Sequence, residues 1–139
     1  MNLKYRLIDH TADLGIEAEF HSLKEVFEKC GLILFDLITD LEKIEAKKEI
    51  NFEIEEENIE DLLIRFLNEL IYLYETKHFL ASQINVDLKK ENKLKATLKG
   101  ENINLKKHRI KTEIKAATYH DFEFKKEDSK FKVRVIFDI

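Results

Sequence analysis

Asn58-Ile59-Glu60-Asp61-Leu62-Leu63-Ile64-Arg65-Phe66-Leu67-Asn68-Glu69-Leu70-Ile71-Tyr72-Leu73-Tyr74 has the clearest period in the chain. Ile59, Leu62, Leu63, Phe66, Leu67, Leu70, Ile71 and Tyr74 recur at three- and four-residue spacing, which predicts an amphipathic helix with one stripe turned to a core. Asn58 is the expected cap, because its carboxamide oxygen can accept one of the unpaired amides of the first turn. A stripe of leucines and aromatics at this spacing is core packing far more often than a cofactor box, so it is assigned no chemistry.

Upstream, Ser22-Leu23-Lys24-Glu25 matches the capping box, in which the Ser22 hydroxyl accepts the amide of Glu25 and the Glu25 carboxylate reaches back to the amide of Ser22. From there Leu23, Val26, Phe27, Cys30, Leu34, Leu37 and Ile38 keep a helical stripe to about Thr39. Alternation predicts strands at Lys4–Ile8, at Gly15–Phe20 and through Ile50, Phe52 and Ile54. Downstream, Ile84, Val86 and Leu88 and then Leu94, Ala96 and Leu98 alternate around the turn-like Lys90-Glu91-Asn92, which reads as a hairpin. Ile114 to Phe124 and Phe131 to Phe137 form a second one, around Lys126-Glu127-Asp128-Ser129. The order ββαβαββββ predicts a single α+β domain over residues 1–139: a mostly antiparallel sheet of about six or seven strands with both helices packed on one face.

Length and composition agree. The 139 residues suit one domain, and 44% hydrophobic with 37% charged residues gives a core under a solvated surface. No run approaches a membrane span, and the opening residues lack the apolar stretch of a signal peptide, so the expectation is a cytoplasmic protein with no membrane partner. Cys30, the single cysteine, falls on the apolar face of the first helix and reads as a small buried hydrophobe. The net charge of −4 conceals an asymmetry: residues 1–88 carry 9 Lys and Arg against 20 Asp and Glu, whereas residues 89–134 carry 15 against 7. The densest basic run, with Lys106, Lys107, Arg109 and Lys111, is a candidate basic patch for RNA phosphate or an acidic protein surface. With no aromatic interleaved for base stacking, the run reads first as a solvated loop.

Several chemistries are excluded by inventory. Gly15, Gly31 and Gly100 do not sit in a phosphate-binding loop, and one cysteine cannot build a cysteine zinc site. Ser22 is a cap, while Ser82 and Ser129 are placed in turns without a nucleophile elbow. What remains is polar residues at three separated places: Asp9-His10-Thr11-Ala12-Asp13, Lys115 to His120 in a late strand, and Asp138-Ile139. On residue type alone, Asp9, Thr11 and Asp13 organise a turn, Lys115 is a solvent-facing strand residue and His120 is an ordinary surface histidine. His21 and His78 read as boundary residues. Asp138 is followed directly by the terminal carboxylate, a second hard oxygen group.

Asp9-His10-Thr11-Ala12-Asp13-Leu14-Gly15-Ile16 resembles the N-terminal signature of the archease family, Glu113-Ile114-Lys115-Ala116-Ala117-Thr118-Tyr119-His120 its central one, and Val135-Ile136-Phe137-Asp138-Ile139 its C-terminal one. Ser22 to Asp36 and Asp61 to Leu70 are similar to the family's two helices, so the resemblance spans essentially the whole chain. Ala117 departs from the larger aliphatic of many relatives, a difference of packing and not of chemistry. The resemblance implies that Asp13, Asp138 and the carboxylate of Ile139 hold a divalent metal ion, with Lys115 a required neighbour and Asp9 and His10 orienting Asp13. Such oxygen ligands suit calcium, magnesium or manganese and leave positions open for a partner's ligand. This arrangement demands that the start of the second strand lie beside the end of the last.

The resemblance also implies a partner, the RtcB-type 3'-phosphate RNA ligase of tRNA splicing, which joins RNA ends through a guanylylated histidine and divalent metals. Archease-type proteins promote that guanylylation and repeated turnover without catalysing a reaction themselves, and would meet tRNA through the ligase. Two other classes compete: a chaperone or modulator of RNA-processing proteins, which needs a sizeable exposed apolar patch, and a metal-dependent hydrolase, for which no second motif supplies a general base.

Overall fold

The computed structural model describes residues 3–10 and 13–139, with the backbone alone at positions 9 and 10; Thr11 and Ala12 of the first signature lie outside the described residues. Among these residues the chain forms β1 (Arg6–His10), β2 (Asp13–Phe20), α1 (Leu23–Ile38), a short 3₁₀ turn (Leu41–Lys43), β3 (Lys48–Glu55), α2 (Ile59–Lys77), β4 (Phe79–Lys90), β5 (Lys93–Asn102), β6 (Ala116–Glu127) and β7 (Lys130–Asp138). The architecture is α+β, and the order of elements is the one the periodicities predict.

The helix ends are built as their sequences dictate, with one difference. Asn58 accepts the amide of Asp61 at 2.8 Å, and the Ser22 hydroxyl accepts that of Glu25 at 3.1 Å. The Glu25 carboxylate, however, accepts the amide of His21 at 3.3 Å and not that of Ser22. α2 ends on His78, whose left-handed backbone (φ 55°) closes the helix as a C-terminal cap requires. The β6–β7 hairpin turns on Asp128 and Ser129, both at positive φ as a two-residue type I′ loop demands. Ser82 lies within β4, at a register shift between Ala81 and Gln83, and not in a turn.

The strands divide into two antiparallel sheets, β1-β2-β7-β6 and β3-β5-β4. Alternation reports that a strand has a buried face; it does not say which strand is its neighbour, and the division is therefore silent in the sequence. α1 packs on β4 of one sheet and touches β2 and β7 of the other, while α2 packs on β6 and touches β3 and β4. Every residue of α1 from Cys30 to Phe35 is consequently buried, which a helix resting on one surface would not be. Phe20, Phe27, Phe35, Phe66, Phe79 and Phe137 fill the continuous core. Cys30 is inside it, and burial pushes its thiol up to about 12, beyond any nucleophilic use near neutrality.

Candidate functional site

The pairing of β2 with β7 decides the geometry. Their register runs from Phe20 opposite Phe131 to Asp13 opposite Asp138, so the two aspartates are direct cross-strand partners. β1 adds His10 opposite Asp13, and β6 adds Ala116 opposite Asp138, making one row across the end of the four-stranded sheet. Residues directly opposite one another have their Cβ atoms about 5 Å apart on the same face, so two carboxylates project side by side. Asp13 is half-buried, Asp138 is exposed, and Ile139 is 43% exposed. Like charges at this spacing destabilise a sheet.

Lys115, expected inside the late strand, lies one residue before β6. Its amide donates to the Asp138 carbonyl at 2.8 Å, which extends the ladder and fixes Lys115 beside the acidic pair with its side chain exposed. Behind the tip, Ile136 is 1% exposed although it lies on the face opposite the core. Gly15 permits this, since a Cβ there would come within 2.7 Å of Ile136 Cδ1 and 3.1 Å of Ile8 Cβ. The next row is a charge ladder: Arg6 meets Glu17 at 2.6 Å, Glu17 meets Arg134 at 2.9 Å, and Arg134 meets Glu123 at 3.8 Å. The hydrogen bond from Arg6, aided by Arg134, holds the Glu17 carboxyl below the usual carboxylate range. Charge on this face is thus paired along the ladder, which lies behind the two aspartates.

The basic run is dispersed, not gathered. Lys107 binds Glu45 and Glu101, His108 is buried, and Lys111 lies 3.5 Å from Asp40; Lys106 and Arg109 are exposed. The His108 Nδ1 accepts the amide of Asn104 at 3.0 Å, which places the ring proton on Nε2, facing the Lys43 carbonyl and Glu101 at 3.1 Å each. Burial alone would raise the Glu101 carboxyl, but the Glu45 amide, Lys107 and His108 together bring it down to about 2. The run therefore ties the loop after β5 to the 3₁₀ turn through Lys107 and His108, while Lys106 and Arg109 face solvent.

Sequence reasoning missed Glu101 and His108, which carried no periodic signal, and Asn68 of α2, whose side chain reaches the backbone of Ala117. Asn is a poor helix former between the strong formers Leu67 and Glu69, and that mismatch is the one mark it leaves. Among the described residues no group of three or more His, Cys, Asp or Glu has the arrangement of a metal site. The two aspartates paired across β2 and β7 are hard, anionic donors of the kind that divalent cations take, and too few to close a coordination shell.

A two-sheet α+β domain with a paired-aspartate tip is the class of protein that these features define. The Archease protein family model matches residues 5–139. The chain is 36% identical to the archease of Archaeoglobus fulgidus over 99% of this chain and all of that one, and 38% identical to the archease of Pyrococcus furiosus over 94% and 95%. The solution structure of Methanobacterium thermoautotrophicum protein 1598 superposes with a TM-score of 0.82 at 36% identity, covering 97% of this chain and 98% of that one. An archease from Thermotoga maritima, described as a possible chaperone, superposes at 0.65 with 28% identity over the full length of both. The chain belongs to the archease family.

Proposed function

We propose that this protein is a cytoplasmic activator of an RtcB-type 3'-phosphate RNA ligase in tRNA splicing, promoting ligase guanylylation and multiple turnover through a divalent cation held at its acidic tip. The observation that carries the reading is the register that sets Asp13 directly opposite Asp138 at an exposed sheet end. Two aspartates facing each other across a strand pair repel, and a cation held between them would offset that repulsion. Asp13, Asp138 and the Ile139 carboxylate would hold calcium, magnesium or manganese. When bound, such an ion supplies compact positive charge that a partner's phosphate or carboxylate can share. Lys115 moderates the negative potential beside the pair and offers an exposed ammonium to the ligase, while the apolar row of Ile8, Gly15 and Ile136 backs the tip. Among the described residues no helix is long and apolar enough to cross a membrane, in keeping with a partner met in solution.

The test is a multiple-turnover ligation assay with cognate ligase, GTP and divalent metal. Wild type should stimulate, and Asp13→Ala should lose about tenfold or more of the stimulation, equivalent to about 1.4 kcal/mol. Full stimulation by Asp13→Ala would remove the metal from the proposal. The description of the Thermotoga relative favours a second reading, a chaperone. Suppression of ligase aggregation by wild type and Asp13→Ala alike, without faster turnover, would select it.

A further inference from the structure

β6 is an edge strand, and its pairing around the tip is not fixed by its own hairpin. Between Thr118 and Glu123 the register shifts: β6 spends five positions where β7, from Ile136 to Arg134, spends two, and Asp121 takes a positive φ of 49°. The pairs Ala116–Asp138, Ala117–Phe137 and Thr118–Ile136 are therefore separated by a bulge from those that the Asp128-Ser129 turn dictates. A slip of one residue upstream of the bulge would carry Lys115 to the other face.

α2 supplies what the hairpin does not. The Ala117 amide donates to Asn68 Oδ1 at 2.9 Å and Asn68 Nδ2 donates to the Ala117 carbonyl at 3.1 Å, so one carboxamide satisfies both backbone groups as a neighbouring strand would. On either side, the Tyr119 hydroxyl donates to Asp61 at 2.7 Å and the Tyr74 hydroxyl donates to Glu113 at 3.1 Å. The segment from Glu113 to Tyr119 thus runs antiparallel along α2, tethered at residues 113, 117 and 119, with Lys115 between the tethers. We propose that Asn68 is a positioning residue that holds Lys115 in register beside Asp138, an inference that rests on the activator reading for its functional consequence. The chemistry is particular to asparagine. Aspartate accepts but cannot donate to the carbonyl, leucine does neither, and glutamine is one methylene too long.

Hydrogen exchange on the full-length protein tests the structural half. In Asn68→Ala the amides of Lys115 and Ala117 should exchange about tenfold faster or more, while those of β4 and β5 are unchanged. Unchanged protection of Lys115 overturns the proposal. Should Asn68→Ala fail to fold, Asn68→Leu keeps the bulk, removes both bonds and should expose the same two amides. The ligation assay tests the other half. Asn68→Ala should lower maximal stimulation about tenfold with the half-saturating concentration within about twofold, and Asn68→Ala/Lys115→Ala should be no worse than Lys115→Ala alone. Losses that multiply would show Asn68 acting apart from Lys115 and overturn the positioning role. No stimulation by wild type would sink the activator reading while the exchange result still decides the register.

Discussion

Two charged clusters in this fold are opposites. At the end of β5, Glu101 is 7% exposed and surrounded by Lys107, His108 and the Glu45 amide, so each charge or dipole meets its complement. At the start of β2 and the end of β7, Asp13 and Asp138 are direct cross-strand partners, one acid opposite another. A buried carboxylate survives only when its partners replace the lost water, so the first cluster is fully committed to holding the chain together. Asp13 is half-buried and Asp138 exposed, so the second cluster still reaches solvent. The difference separates a charge that holds the fold together from one that solvent still reaches.

The largest expected effect lies in the buried cluster. Glu101→Ala leaves Lys107, His108 and the Glu45 amide without their shared acceptor and should cost roughly 3 kcal/mol in denaturant unfolding. The pH dependence has a fixed sign. Because the folded carboxyl is lowered to about 2, its contribution is fully present above the ordinary glutamate value of 4.5 and is lost as pH falls towards about 2. That gap corresponds to about 3 kcal/mol, and the loss of stability over this window should be absent from Glu101→Gln. An identical acid profile in the variant would place the compensation elsewhere. A smaller effect is expected from the ladder between the two extremes. Arg134→Ala removes one cation shared by Glu17 and Glu123 at a partly exposed site and should cost about 1 kcal/mol, diminishing with added salt.

The contrast also explains what could be read without coordinates. Among the described residues both helices, their N-caps and the seven strands follow from local period and local turn chemistry, as at Asn58, Ser22 and Asp128-Ser129. The division into two sheets depends on which strands neighbour each other, and that is a long-range choice with no local signature. On residue type Asp13 and Lys115 read as turn and surface residues, and only the motif resemblance joins them to Asp138 and Ile139, while the register of β2 on β7 sets Asp13 opposite Asp138. Glu101 and His108 were invisible because nothing in a basic loop says which of its charges will be buried. His108 lies between Lys107 and Arg109, and only the fold sends it inward.

The smallest effect is also the one with the opposite sign. If the Asp13–Asp138 pair is repulsive, Asp138→Asn should leave the protein as stable as wild type or raise its stability by about 0.5 kcal/mol in chelator, whereas every substitution in the buried cluster lowers it. Adding divalent cation should then reverse the ranking. An ion that binds only the folded protein stabilises it in proportion to the logarithm of its concentration above Kd, so at a hundred times Kd wild type should gain roughly 2.7 kcal/mol. The variant, with one carboxylate fewer, should gain far less. Thermal unfolding of the two proteins across a calcium, magnesium or manganese series makes the measurement, and curves that move in parallel would mean that the cation acts elsewhere. Curves that cross would show that the aspartate pair binds the cation, which the buried cluster around Glu101, its carboxylate already taken up by Lys107, His108 and the Glu45 amide, cannot do.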